Sequence, residues 1–141
     1  MNKNGEVIII EDNQDDQFLF ETVFDTLDYP NKRVYFKDGE AALEYLHKPG
    51  VIPFLILSDI NLPKLTGLEL REKLKTDEDL NLKCIPYLFF SSEANQQMVM
   101  DAYSLSAQGF FVKPKAIVEL TDVIRSMMNY WGRCAAPNNF R

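Results

Sequence analysis

Short apolar segments and amphipathic segments alternate along this chain. Five segments are rich in β-branched and aromatic residues and are short enough to be strands. Two of them, "VIII" and "FLIL", are apolar at every position, which is typical of strands buried on both faces of a sheet. The predicted strands are Val7–Ile10, Arg33–Phe36, Phe54–Leu57, Ile85–Phe90 and Phe110–Val112.

The segments between the strands show helical spacing of their apolar residues. They predict helices near residues 15–27, 39–47, 66–75, 94–106 and 115–130. Strands that alternate with helices favour right-handed crossovers and a parallel sheet covered by helices on both faces. The pattern therefore predicts one α/β domain over residues 1–141, with a core from about 6 to 130, a polar connection at 75–84 and a C-terminal tail at 131–141.

Composition narrows the classes of partner. The 141 residues are 46% hydrophobic and 26% charged, as in an ordinary globular domain. A net charge of −6 without a basic stripe argues against nucleic-acid binding. There is no signal peptide and no apolar run of bilayer length, so we expect no membrane association. The two cysteines form no CxxC pair, Cys84 is expected to pack in the fourth strand, and a cytoplasmic location is expected.

Chemically active side chains follow four of the five predicted strands. Ligands of open parallel sheets bind just past the carboxyl ends of the strands, and these ends meet along one edge. We therefore expect the acids, hydroxyls and amine at these ends to converge. They are Glu11, Asp12, Asp59, Ser91, Ser92 and Lys113.

Three carboxylates at one edge indicate a cation site. Two unit charges about 4 Å apart repel by roughly 4 kcal/mol at an effective dielectric near 20. Oxygen ligands without nitrogen or sulfur favour Mg²⁺. With the Lys113 charge and a serine hydroxyl nearby, the site suits phosphoryl transfer, in which a carboxylate can act as the acceptor. Asp59 is the best acceptor because the other two acids are better placed to hold the metal.

Four motifs carry a family resemblance. "EDN" (11–13), "DINLPKLTG" (59–67), "FFSSEA" (89–94) and "GFFVKP" (109–114) occur in the order and at the separations of a response regulator receiver domain. The chain resembles such a domain of two-component signalling, of the stand-alone, chemotaxis-regulator-like kind, from about residue 6 to 130. The resemblance implies a flavodoxin-like, doubly wound fold with a five-stranded parallel sheet of order 2-1-3-4-5 and five helices.

The resemblance also implies a metal site. Asp59 matches the aspartate that is phosphorylated. Asp12 matches the direct Mg²⁺ ligand, and Glu11 matches a neighbour that often acts through water. Asn61 would contribute its main-chain carbonyl, and Asp59 itself would be a fourth ligand.

A second set of roles concerns the phosphoryl group. Ser91 matches the hydroxyl that moves toward it, with Ser92 beside it as a further hydroxyl. Lys113 matches its cationic partner, and the bond between Lys113 and Pro114 is cis in similar proteins. Phe110 matches the aromatic residue that changes rotamer, although it lacks the hydroxyl that many relatives have.

The resemblance implies a signalling function. The partner would be a histidine kinase or a histidine phosphotransfer protein, and the chain is expected to have no DNA-binding output domain. Output would come from contacts with an unknown downstream protein, or from onward phosphotransfer, and a homodimer is possible through the face of the fourth helix, fifth strand and fifth helix. The 75–84 connection and Trp131 resemble single-domain receivers, some of them partnered with phytochrome-type kinases. No enzymatic turnover is expected beyond the chain's own phosphorylation and dephosphorylation.

Two other functions compete with this interpretation. A Mg²⁺-dependent phosphatase with an aspartate nucleophile would need a second Asp two positions later, where this chain has Asn61, which cannot act as a general acid. Its nucleophile would also follow the first strand rather than the third. An FMN-binding protein would need a phosphate loop after the first strand, where "EDNQDD" places negative charge instead.

Overall fold

The computed structural model describes residues 3–135, in which strands and helices alternate. The strands are β1 (Glu6–Ile10), β2 (Arg33–Phe36), β3 (Pro53–Ser58), β4 (Tyr87–Ser91) and β5 (Gly109–Val112). The helices are α1 (Gln14–Leu27), α2 (Gly39–Leu46), α3 (Gly67–Thr76), α4 (Glu78–Leu82), α5 (Gln96–Ser104) and α6 (Ile117–Arg133). None of these helices is both long enough and apolar enough to cross a membrane.

All strand pairs are parallel, and the sheet order is β2-β1-β3-β4-β5. This confirms the predicted order 2-1-3-4-5 and the doubly wound fold class. The central strand β3 is buried at all six positions. Since the order reverses at β1 and β3, the carboxyl ends of these two strands border the crevice where such folds bind ligands.

Helices cover both faces of the sheet, so each strand contributes to two apolar layers. Ile9 packs with residues of α1 and α6 on one face. Ile8 and Ile10 pack with residues of α2, α3 and α5 on the other. The run "VIII" is apolar at every position because alternate side chains are buried on opposite faces of the sheet, as predicted.

The segment predicted as a polar connection contains the short helix α4, so the prediction of five helices was wrong and six are present in residues 3–135. The Asp77 side chain caps this helix by accepting a hydrogen bond from the Leu80 N–H at 3.0 Å. Leu80 is only 4% exposed and anchors the helix to the core. One cap and one apolar contact stabilise a helix too short to show a periodic pattern.

The start of β4 also differs from the prediction. Cys84 is exposed and has a φ of 52°, so it lies in a turn rather than packing in the strand. At the other end of the chain, α6 continues through Arg133, so Trp131 is helical. Residues 136–141 of the predicted tail lie outside the described residues.

Candidate functional site

The predicted site residues lie just past the carboxyl ends of the strands. Backbone hydrogen bonds to neighbouring strands hold three of them in place. The Glu11 N–H donates to the Phe36 carbonyl at 2.9 Å, and the Asp59 N–H donates to the Ile10 carbonyl at 3.0 Å. The Lys113 N–H donates to the Ser91 carbonyl at 2.8 Å. Each side chain is thus placed by a rigid strand rather than by a free loop.

Glu11, Asp12 and Asp59 form a cluster of three carboxylates. One oxygen from each lies within 4.8 Å of the other two. Glu11 and Asp59 are 2% and 8% exposed, whereas Asp12 is exposed. An all-oxygen set that is buried on one side and open on the other fits a hard divalent cation that keeps part of its water shell. The predicted convergence of these acids is present.

Lys113 lies at the centre of the acidic side chains. Its Nζ donates to Asp59 Oδ2 at 2.8 Å and to Asp16 Oδ2 at 3.1 Å, and it also donates to Glu11 Oε1. The ammonium group balances charge that would otherwise be buried without a partner. Asp16 was not among the site residues predicted from the sequence. Its place in the first turn of a helix that begins beside the acidic edge does not single it out, because Asp15 lies in the same turn.

Burial governs the electrostatics of this cluster. It raises the pKa of Glu11 to about 7, although the hydrogen bond from Lys113 acts in the opposite direction. Burial alone would lower the pKa of Lys113, but hydrogen bonds to Asp59 and Glu11 outweigh that effect and hold it above the ordinary value. Lys113 therefore stays charged at neutral pH, and Glu11 exchanges its proton near neutrality.

Two glycines, Gly39 and Gly67, allow close contacts with the backbone of Asp59 and of the loop that follows it. A Cβ atom on Gly67 would lie 2.1 Å from the Asp59 carbonyl oxygen, and one on Gly39 would lie 2.5 Å from the Leu65 carbonyl oxygen. The Gly67 N–H also donates to the Ile60 carbonyl at 2.9 Å. From sequence, Gly67 looks like a helix-start residue, but the contact shows that its missing side chain lets α3 touch the backbone of Asp59.

Asn61 lies at the edge of the site, next to Asp59. Its main-chain N–H donates to Asp59 Oδ1 at 3.1 Å, while its side chain is exposed. The predicted use of its main-chain carbonyl as a metal ligand stays a prediction.

The hydroxyl and aromatic residues differ in burial. Ser91 is fully buried, and its Oγ accepts a hydrogen bond from the Glu93 N–H at 3.3 Å. Ser92 is exposed. Phe110 is half-buried, with its ring 6.2 Å from that of Phe89. The phosphoryl contacts of the serines and the rotamer change of Phe110 stay predictions.

The peptide bond between Lys113 and Pro114 is trans, since residues 3–135 contain no cis bond. The prediction of a cis bond is therefore wrong for this structure. The trans form is intrinsically favoured by about 0.5–1 kcal/mol before proline. In that form the Lys113 ammonium already reaches its three carboxylates.

Comparisons with known proteins identify regulatory proteins as relatives of this chain. The chain matches the response regulator receiver domain over residues 7–125. It is 28% identical to the probable methanogenesis regulatory protein FilR2 of Methanothrix harundinacea, with 89% of this chain and 82% of FilR2 covered. It is also 28% identical to response regulator Rcp1 of Synechocystis, with 89% and 87% covered.

Solved structures show the same fold. The phosphorylated cyanobacterial phytochrome response regulator RcpA superposes with a TM-score of 0.84 at 26% identity, with 94% of this chain and 97% of RcpA covered. The Mn²⁺-bound form of response regulator Rcp1 superposes with a TM-score of 0.80 at 26% identity, with the same coverage. The chain belongs to the response regulator receiver domain family of two-component signalling.

Proposed function

We propose that this protein accepts a phosphoryl group on Asp59 from a histidine kinase or a histidine phosphotransfer protein. Glu11, Asp12 and Asp59 would hold the Mg²⁺ that the reaction needs. One observation carries the proposal: Asp59 belongs both to the carboxylate cluster and to the Lys113 ion pair, at 2.8 Å. A neighbour in the same fold is described as phosphorylated and another as Mn²⁺-bound, which supports both parts.

The chain's own residues account for the chemistry. An oxygen of the Asp59 carboxylate attacks the phosphorus, a P–O bond forms, and the P–N bond of the donor phosphohistidine breaks. The imidazole leaves with its bonding electron pair and takes up a proton. Lys113 would pair with a phosphoryl oxygen, and Glu11, Asp12 and Asp59 would hold the Mg²⁺ that supplies further positive charge opposite the transferred group. The Asn61 N–H keeps Asp59 oriented through its Oδ1.

The names of the relatives favour signalling over turnover, since FilR2 and Rcp1 are both described as regulators. The phosphatase and FMN hypotheses gain no support from the site. Output would come from protein contacts or from onward phosphotransfer in the cytoplasm. The face of α5, β5 and the start of α6 would be the contact or dimer surface, because it exposes several large apolar side chains: Met100, Tyr103, Val112, Ile117 and Val118.

Acetyl phosphate with Mg²⁺ is expected to add one phosphoryl group to the wild-type protein and none to the Asp59→Asn variant, as measured by intact mass. Chelation of Mg²⁺ before acetyl phosphate is added should prevent the wild-type adduct from forming. Asp122→Asn is the matched control, because Asp122 is an exposed acid on α6. An unmodified wild-type protein, or an adduct on the Asp59→Asn variant, would contradict the proposal.

Mg²⁺ affinity is expected to fall as the pH falls through 7. The pKa of Glu11 is raised to about 7, so near neutral pH this carboxyl group must lose a proton before it can bind a cation. Affinity should be roughly tenfold weaker near pH 6 than near pH 8 in calorimetric titrations. Glu11→Gln should flatten this dependence, and a wild-type affinity that is constant over this range would contradict the assignment of Glu11.

A further inference from the structure

A second cluster of buried polar groups lies between the sheet and α3, next to Asp59. It contains Ser58 (1% exposed), Arg71 (8%) and Tyr87 (0%). The phosphoryl-transfer chemistry uses none of these side chains. Buried polar groups need partners, so their contacts show what the cluster holds in place.

Ser58 and Tyr87 hold the backbone around Asp59. The Ser58 hydroxyl donates to the Asp59 carbonyl at 2.8 Å. The Tyr87 hydroxyl donates to the Gly67 carbonyl at 3.1 Å, and Gly67 is the residue that touches the Asp59 backbone. Burial raises the pKa of Tyr87, so the phenol stays neutral and can donate.

Arg71 holds the turn between α5 and β5. The Arg71 guanidinium lies 5.7 Å from the centre of the Tyr87 ring, and its Nε and Nη2 donate to the Leu105 and Ser106 carbonyls, both at 2.9 Å. The Gln108 side chain accepts from the Tyr87 N–H at 2.7 Å and donates to the Ser106 carbonyl at 3.0 Å. Tyr87 is thus connected to the turn both directly and through Arg71.

The charge of Arg71 needs an explanation. Within residues 3–135 its hydrogen bonds go to main-chain carbonyls and not to a carboxylate, and burial lowers its pKa. An apolar side chain of similar volume would fill the same space without the cost of desolvating a charge. We therefore attribute the presence of a guanidinium here to its hydrogen bonds with the two carbonyls, which connect the turn to α3.

We propose that Tyr87 and Arg71 are positioning residues that couple the Asp59 loop (residues 59–67) to the α5–β5 turn (residues 105–108). A shift of the loop must move Gly67, and Gly67 is hydrogen-bonded to Tyr87, which packs under Arg71. A group bound on Asp59 then changes the turn, and by linkage the turn changes the affinity of Asp59 for that group. The inference rests on the proposed function, because it takes Asp59 as the acceptor.

Two substitutions break this connection with little change in volume. Tyr87→Phe removes only the hydroxyl, and the Gly67 carbonyl keeps its place in the helical hydrogen bonding of α3. Arg71→Met keeps an unbranched stem but loses both carbonyl contacts. Tyr45→Phe is the matched control, since the Tyr45 hydroxyl donates to Glu6 Oε1 at 2.6 Å, away from Asp59.

The test compares amide hydrogen exchange in peptides covering the turn, with and without beryllofluoride and Mg²⁺, a phosphoryl mimic. In the wild type and in Tyr45→Phe, the mimic should change exchange at residues 105–108. In Tyr87→Phe and Arg71→Met, the change should shrink at least about fivefold while the mimic still binds.

The other outcomes separate the two proposals. Failure of the mimic to bind the wild type contradicts the proposed function itself. Binding with no response of the wild-type turn, or with an undiminished response in both variants, overturns the coupling alone. Loss of binding in Tyr87→Phe or Arg71→Met, with the wild type still binding, also overturns it, because that residue would then be needed for the site rather than for coupling.

Discussion

Replacing Gly67 with alanine is expected to slow phosphorylation of Asp59 by about a hundredfold and to lower the free energy of unfolding by about 3 kcal/mol. The added Cβ atom would lie 2.1 Å from the Asp59 carbonyl oxygen and 3.0 Å from the Ile60 Cα atom. Neither is the end of a flexible side chain, so the backbone of the loop has to move. A displacement of about 1 Å at the acceptor is enough to lower the rate strongly.

Gly132→Ala is the matched control for Gly67→Ala. No atom lies within 4 Å of a Cβ atom at that position, and Gly132 lies near the end of α6. The substitution should leave phosphorylation unchanged and add up to about 1 kcal/mol of stability through helix propensity. Urea unfolding and the rate of acetyl phosphate labelling measure both effects. A Gly67→Ala variant with wild-type stability and rate would show that the contact does not position Asp59.

Replacing Lys113 with methionine is expected to destabilise the metal-free protein by about 3 kcal/mol. The substitution removes the cation shared by Glu11, Asp16 and Asp59 and leaves buried carboxylate charge without a partner. Mg²⁺ should restore most of this loss, because a divalent cation can take over the balancing charge. In the wild type, Lys113 already balances part of this charge.

Thermal unfolding with and without Mg²⁺ measures this effect. The Mg²⁺-induced increase in the unfolding midpoint should be larger in Lys113→Met than in the wild type. Lys115→Met, at an exposed position two residues along the chain, should behave as the wild type does. Equal responses to Mg²⁺ in Lys113→Met and the wild type would mean that Lys113 does not neutralise the carboxylates proposed to hold Mg²⁺.

The sheet and the convergence of the site could be predicted from sequence because both follow from local patterns. Runs such as "VIII" are apolar throughout because Ile9 faces one apolar layer and Ile8 the other. Once the strands are parallel, topology brings their carboxyl ends to one edge. Glu11, Asp59 and Lys113 then meet although they are far apart in the chain.

The features that sequence did not reveal depend on particular distances. Asp16 contacts Lys113 across 97 positions, and nothing in the local pattern distinguishes it from Asp15. The contact of Gly67 with Asp59 depends on how closely α3 approaches β3. Helix α4 depends on a single cap and on the burial of Leu80. These are tertiary effects, which local propensity does not encode.

The most direct test is to locate the phosphoryl group after treatment with acetyl phosphate and Mg²⁺. Borohydride reduces an aspartyl phosphate to homoserine, and tandem mass spectrometry of the peptides then identifies the residue. We expect homoserine at position 59 and no reduced residue at any other acidic position. Reduction at Glu11 or Asp12 instead, or no reduced residue in a protein that is folded and Mg²⁺-bound, would contradict it.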